Sequence, residues 1–139
     1  MDKFYRVSNS IYRSARPCLE DLSTLKVAFR FESIVNLEDD KKAVEEEEHN
    51  IEHHWPFHFI HAPLSGGYLP HRETLDNIID SILVTPKPLL IHCQHGVDRT
   101  GIMVAYYRMR IQGWNLEDAW KEAREKGMNR LLWWWKQAL

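Results

Sequence analysis

With 139 residues and a formal net charge of −2, the chain is expected to form a single domain over residues 1–139 and not to bind nucleic acid. No apolar run reaches the roughly 20 residues that span a bilayer, so no membrane span is expected. The polar N-terminus is unlike a signal peptide, and we expect a cytoplasmic protein unless a leader has been removed.

The hydrophobic pattern predicts strands and helices that alternate along the chain. In order, the predicted elements are a hairpin, a helix over 19–29, a strand over 33–37, a helix over 38–49, a strand over 58–62, a helix over 73–84, a strand over 89–91, and helices over 101–112 and 116–126. Glu45 to Glu48 are expected on a solvated helix face. A last helix carries Trp133 to Trp135, with one ring exposed. We therefore expect an α/β fold whose central, mainly parallel sheet is flanked by helices.

The chain has two cysteines, Cys18 and Cys93, and no C-x-x-C pair, so it lacks a disulfide framework. Cys18 is predicted to be a small buried residue at the start of a helix. Cys93 comes directly after the most apolar predicted strand. Because sites in parallel sheets lie beyond the carboxyl ends of the strands, this position indicates a reactive cysteine.

The segment HCQHGVDRTG, which begins at His92, joins that strand to a helix. A tight loop whose N–H groups point inward binds phosphate, and the following helix adds its partial positive charge. Arg99 lies six positions after Cys93, where its planar guanidinium can bind two phosphate oxygens. The same electropositive surroundings stabilise a thiolate, which predicts that Cys93 is a nucleophile.

The other residues of this loop are predicted to support phosphate binding. Gly96 permits the backbone turn, the Thr100 hydroxyl can donate to the sulfur of Cys93, and the His92 ring orients the loop. A nucleotide-binding loop is excluded, because Ile102 and Met103 stand where that motif needs Lys and Ser or Thr. The predicted phosphate-binding residues are Gln94, His95, Gly96, Val97, Asp98, Arg99 and Thr100.

The segment HCQHGVDRTG is similar to the signature His-Cys-x5-Arg-[Ser/Thr]-Gly of the protein tyrosine and dual-specificity phosphatase superfamily. The stretches 7–17, 34–37 and 62–64 resemble its small atypical branch, which includes the phytase-like or inositol-phosphate group. The predicted helix with Tyr106, Arg108, Gly113 and Trp114 resembles that of bacterial members. The resemblance implies a dual-specificity phosphatase fold, a phosphocysteine intermediate at Cys93, phosphate binding by Arg99, and no metal or other cofactor. The implied substrate is a phosphorylated protein side chain or an inositol phosphate.

Members of this superfamily usually take an aspartate general acid from the loop after the preceding strand, and here that loop, residues 64–70, has no carboxylate. Asp98 is one candidate, because myotubularin-type lipid phosphatases carry a similar aspartate. An equally weighted alternative makes Asp98 a loop-end or helix-cap carboxylate that pairs with an arginine. Glu73 is the second candidate for the acid.

Two functions from other classes stay open. A pseudophosphatase would bind phosphate as a catalytically weak interaction module, although such proteins normally lose the cysteine or the arginine. A sulfurtransferase also uses a cysteine in a cradle loop, as in rhodanese-type domains.

Overall fold

The computed structural model describes residues 1–139. Its strands are Tyr5–Arg6 (β1), Ile11–Ser14 (β2), Ser33–Asn36 (β3), His58–His61 (β4) and Leu89–His92 (β5). They form one five-stranded sheet with the order β1-β2-β5-β3-β4. The first pair is antiparallel and the other pairings are parallel, which confirms the predicted mainly parallel sheet.

Helices cover both faces of the sheet. They are Leu19–Val27 (α1), Lys41–His53 (α2), Arg72–Val84 (α3), Arg99–Arg110 (α4), Leu116–Glu125 (α5) and a 3₁₀ helix, Arg130–Ala138. Because side chains alternate along a strand, Leu89 and Ile91 join one apolar cluster and Leu90 joins the other. The larger cluster includes α3, α4, α5 and the terminal helix, and the smaller one includes α1 and α2. None of the helices combines the length and apolar composition needed to cross a membrane.

Helix α2 begins three residues later than the sequence predicted and extends four residues further. Its first turn is capped by Asp40, whose carboxylate accepts hydrogen bonds from the N–H groups of Lys42 and Ala43. Glu38 and Asp39 therefore belong to the β3–α2 loop. The solvated face predicted for the glutamate run was wrong at one position, since Glu47 is only 5% exposed.

Three other expectations need correction. Helix α4 begins at Arg99 instead of Gly101, and the terminal helix is a 3₁₀ helix. Cys18, which was expected to be buried, is exposed because it precedes the first turn of α1, where its N–H donates to the Asp21 carboxylate. The tryptophan prediction is confirmed, with Trp135 buried and Trp133 exposed.

The topology brings the functional segments together. Strand β5 lies between β2 and β3 and runs parallel to both. Consequently Cys93, after β5, lies at the same edge of the sheet as the segments that follow β2 and β3.

Candidate active site

The phosphate loop (residues 93–99) joins the central strand β5 to helix α4. Its first residue, Cys93, is 2% exposed and free. None of the backbone N–H groups of residues 94–98 donates a hydrogen bond within the chain. Those donors, together with the N-terminus of α4, provide the surroundings that an oxyanion requires.

The end of β2 supports one side of the phosphate loop. Gly96 has a φ of 73°, and a Cβ atom built on it would lie 2.5 Å from the backbone nitrogen of Ala15. The N–H of Arg16 donates to the carbonyl of Gln94 at 3.1 Å. Glycine is required at position 96 both by this backbone conformation and by this close approach.

Arg99 lies at the first position of α4 with its guanidinium mostly covered. Its Nη1 atom lies 2.7 Å from Oδ1 of Asp39 and 3.5 Å from the carbonyl oxygen of Leu64. Asp39, in the β3–α2 loop, is half exposed. The guanidinium of Arg99, which is expected to bind phosphate, is thus paired with the carboxylate of Asp39 in this structure.

Behind the loop, His92 is fully buried and uses both ring nitrogens. Nδ1 lies 3.1 Å from the carbonyl oxygen of Cys93, and Nε2 lies 2.8 Å from Oε1 of Glu47. The same glutamate oxygen accepts from the Asn36 side chain at 3.2 Å. His92 therefore orients the start of the loop, as the sequence analysis expected, and helix α2 holds His92.

A second buried carboxylate, Glu38, pairs with Arg16 beside the loop. The guanidinium of Arg16 donates to both carboxylate oxygens of Glu38. This hydrogen bonding raises the pKa of Arg16. The positive charge of Arg16 is thus already balanced within the chain.

Comparison with known proteins decides the family. The sequence profile of the tyrosine phosphatase family matches residues 1–125. The chain belongs to the tyrosine phosphatase family. Since the matched residues include the phosphate loop and every strand, the match covers the whole candidate site.

Relatives within the family agree with this placement. The dual specificity protein phosphatase TpbA of Pseudomonas aeruginosa is 28% identical over 130 residues, which are 88% of this chain and 54% of TpbA. The chain therefore spans about half the length of the curated relatives it matches. The core catalytic domain of the PP-IP phosphatase SIW14 from S. cerevisiae has a TM-score of 0.81 at 27% identity, over 98% of this chain and 82% of that one. The crystal structure of P. aeruginosa TpbA has a TM-score of 0.75 at 23% identity, over 99% of this chain and 82% of that one. The predicted superfamily and fold are confirmed.

Asp98, near the end of the phosphate loop, has a structural partner. Its Oδ1 accepts a hydrogen bond of 2.8 Å from the backbone N–H of Asn129. This contact resembles the alternative in which Asp98 is a loop-end carboxylate, except that its partner is a backbone N–H and not an arginine. The assignment of Asp98 as the general acid stays a prediction.

The remaining predicted loop residues differ in exposure. Gln94 and His95 are exposed at the mouth, Val97 is partly buried, and Thr100 is buried. The Thr100 hydroxyl has no hydrogen-bond partner. The expected bond from this hydroxyl to the sulfur of Cys93 is therefore not formed in this structure.

The loop that carries the acid in other members of the family lies over Arg99 without a carboxylate. A Cβ atom on Gly66 would lie 3.9 Å from the guanidinium of Arg99. Glu73, the second candidate acid, is exposed on α3. The other carboxylate near the start of α3, Asp76, accepts a hydrogen bond from Tyr106 at 2.6 Å.

Among the site residues that the sequence analysis missed are Asp39 and Glu47. Glu47 shares a face of α2 with the buried residues Val44 and Ile51, at spacings of three and four residues. That spacing could have identified it. Asp39 could have been found from its place just beyond the carboxyl end of a predicted strand.

Proposed function

We propose that the chain is a cysteine-dependent phosphomonoester hydrolase. The thiolate of Cys93 attacks phosphorus, the bond to the leaving oxygen breaks, and a phosphocysteine forms. Water then attacks the phosphocysteine, which releases inorganic phosphate and restores the thiolate. The observation that carries this proposal is the buried Cys93 at the start of a loop whose N–H groups are unpaired and which ends at Arg99.

Arg99 and the amides of residues 94–98 would hold the transferring phosphoryl group. Charge spreads over its oxygens as the bonds change, and fixed donors stabilise this charge more than water does. A bound phosphate would compete with the Asp39 carboxylate for the guanidinium of Arg99. We expect Asp39 to move aside or to take up a proton when substrate binds.

The proton donor is proposed to be one of two carboxyl groups. Asp98 is the candidate from sequence, although its carboxylate accepts from Asn129. Asp39 is the candidate from geometry, because it contacts the arginine that would bind the phosphate. A phosphate dianion favours the protonated form of a neighbouring carboxyl group, and such a group can protonate the leaving oxygen.

Leaving-group dependence separates the two candidates. Removal of a general acid slows alkyl phosphates by about 10²–10⁴-fold and slows para-nitrophenyl phosphate far less, because para-nitrophenolate departs without a proton. Asp39→Asn and Asp98→Asn are compared with Asp40→Asn, which changes the adjacent charge and keeps a capping side chain. The variant that hydrolyses alkyl phosphates far more slowly, but para-nitrophenyl phosphate only a little more slowly, identifies the general acid. Equal slowing of both substrates by both variants would exclude both residues and leave Glu73.

The proposed substrate is a phosphorylated protein side chain. Two arginines of the site, Arg16 and Arg99, are each paired with a carboxylate, so neither is a free positive charge for a polyanion. An inositol phosphate is the second candidate, favoured by the similarity to the catalytic domain of the PP-IP phosphatase SIW14 over 98% of the chain.

Phosphate release from a phosphotyrosine peptide and from inositol hexakisphosphate is measured side by side, with Cys93→Ser as the control. We expect the higher kcat/KM for the peptide and no turnover by the variant. A higher value for inositol hexakisphosphate would support the second candidate. No hydrolysis of either substrate or of para-nitrophenyl phosphate would support the pseudophosphatase, and thiocyanate formation from cyanide and thiosulfate would support a sulfurtransferase.

A further inference from the structure

Arg13 is a buried cation on the core side of the phosphate loop. It lies in β2 opposite Ile91 of β5 and is 1% exposed. An arginine stays protonated in proteins, and a buried charge is costly unless it is paired. Burial lowers the pKa of Arg13, and the acidic groups nearby, first Glu122 and then Cys93, oppose this shift.

The hydrogen bonds of Arg13 account for only part of its guanidinium. Nη2 donates to the carbonyl of Gly96 at 3.1 Å, whereas Nε and Nη1 are buried without a partner. Glu122 already accepts two hydrogen bonds from Arg108. Because Arg13 and Arg108 share this one carboxylate, a thiolate at Cys93, three residues before the carbonyl that Arg13 holds, would add to the balance of their charge.

The bond to Gly96 also fixes the direction of a loop amide. In a planar trans peptide the C=O and the next N–H point in opposite directions. Because the carbonyl of Gly96 points at Arg13, the N–H of Val97 points away from the core, where a phosphate would lie. In the same way, the carbonyl of Gln94 accepts a hydrogen bond from the N–H of Arg16, so the N–H of His95 points away from Arg16.

We propose that Arg13 is a positioning residue of the phosphatase reaction. It holds the Gly96–Val97 peptide with its N–H toward the phosphate, and its buried charge favours the thiolate form of Cys93. The inference rests on the proposed function of Cys93. Since Arg13 acts through other groups, its removal changes thiol reactivity and anion affinity and leaves the leaving-group dependence unchanged.

The test compares Arg13→Met and Arg13→Gln, which remove the charge, with Arg13→Lys, which keeps it. Iodoacetamide alkylation is followed from about pH 5 to pH 9, with mass spectrometry to separate the Cys93 peptide from that of the exposed Cys18. We expect both neutral variants to move the profile to higher pH and to lower the rate at about pH 6 by about tenfold or more. Arg13→Lys should keep most of the reactivity. Affinity for inorganic phosphate should fall in parallel in the neutral variants.

Met128→Ala is the control for loss of packing alone. Met128 is buried beside Gly101, near the guanidinium of Arg13, and carries no charge. This variant should lose stability and keep the wild-type alkylation profile. A folded Arg13→Met or Arg13→Gln with the wild-type profile and phosphate affinity would overturn the inference. Both readouts are independent of turnover, so a failure here is distinct from a failure of the proposed function, which shows as full turnover by Cys93→Ser.

Discussion

Gly96→Ala is predicted to disable the phosphate loop while leaving the fold intact. The added Cβ would lie 2.5 Å from the nitrogen of Ala15, with the carbonyl carbon and oxygen of Ser14 at 2.6 and 2.7 Å. These are backbone atoms at the end of a strand paired with β5, so they cannot rotate away. The loop must move instead.

The size of the movement follows from the contact. Ordinary van der Waals contact begins at 3.4 Å, so the added Cβ must move by about 0.9 Å away from the nitrogen of Ala15. A misplacement of about 1 Å in a catalytic group costs on the order of 100-fold in rate. The free energy of unfolding should fall by about 1–2 kcal/mol for the left-handed backbone, and by about 1–3 kcal/mol more for the overpacking.

Gly113→Ala is the matched control. Gly113 has the same φ of 73°, and no atom lies within 4 Å of its built Cβ. The free energy of unfolding of this variant should fall by about 1–2 kcal/mol, and its kcat/KM should stay at the wild-type value. Steady-state hydrolysis of para-nitrophenyl phosphate and urea unfolding of both variants provide the test. Wild-type activity in Gly96→Ala would refute the claim that β2 fixes the position of the loop.

Two further predictions concern Arg99 and Tyr106. Arg99→Lys keeps the charge and loses the planar fork, so kcat should fall by about 100-fold with a smaller change in KM. A wild-type kcat would show that charge alone suffices. Burial and the hydrogen bond to Asp76 raise the pKa of Tyr106, so its stabilising contribution is complete below about pH 10 and is lost as the pH rises further. Between about pH 8 and pH 11, the free energy of unfolding measured by urea titration should therefore fall less in Tyr106→Phe than in the wild type. An equal fall in both proteins would contradict this account.

Local pattern was enough to predict the strands and the strand–loop–helix setting of Cys93. The run Leu89 to Ile91 is apolar on both faces, as a central parallel strand must be, and the spacing of Cys93 and Arg99 fits a single phosphate. Both features depend on neighbours in sequence. Their prediction did not require knowledge of how the elements pack.

One of the missed residues, Asp39, depends on where helix α2 begins. With Asp40 as the cap, α2 starts at Lys41, which leaves Asp39 in the loop beside Arg99. Glu47, in contrast, lies on the same helix face as Val44 and Ile51 wherever the helix begins, and its neighbours Glu46 and Glu48 are exposed. Several acidic residues in this segment could have served as the cap, so the pattern alone could not choose among them.

Detection of a phosphorylated Cys93 tests the central claim most directly. The enzyme is mixed with para-nitrophenyl phosphate, quenched within one turnover, digested and analysed by mass spectrometry. We predict that the peptide containing Cys93 gains the mass of one phosphoryl group, and that Cys93→Ser gains none and releases no phosphate. Steady phosphate release without a phosphorylated Cys93 at any quench time, together with activity in Cys93→Ser, would contradict the account.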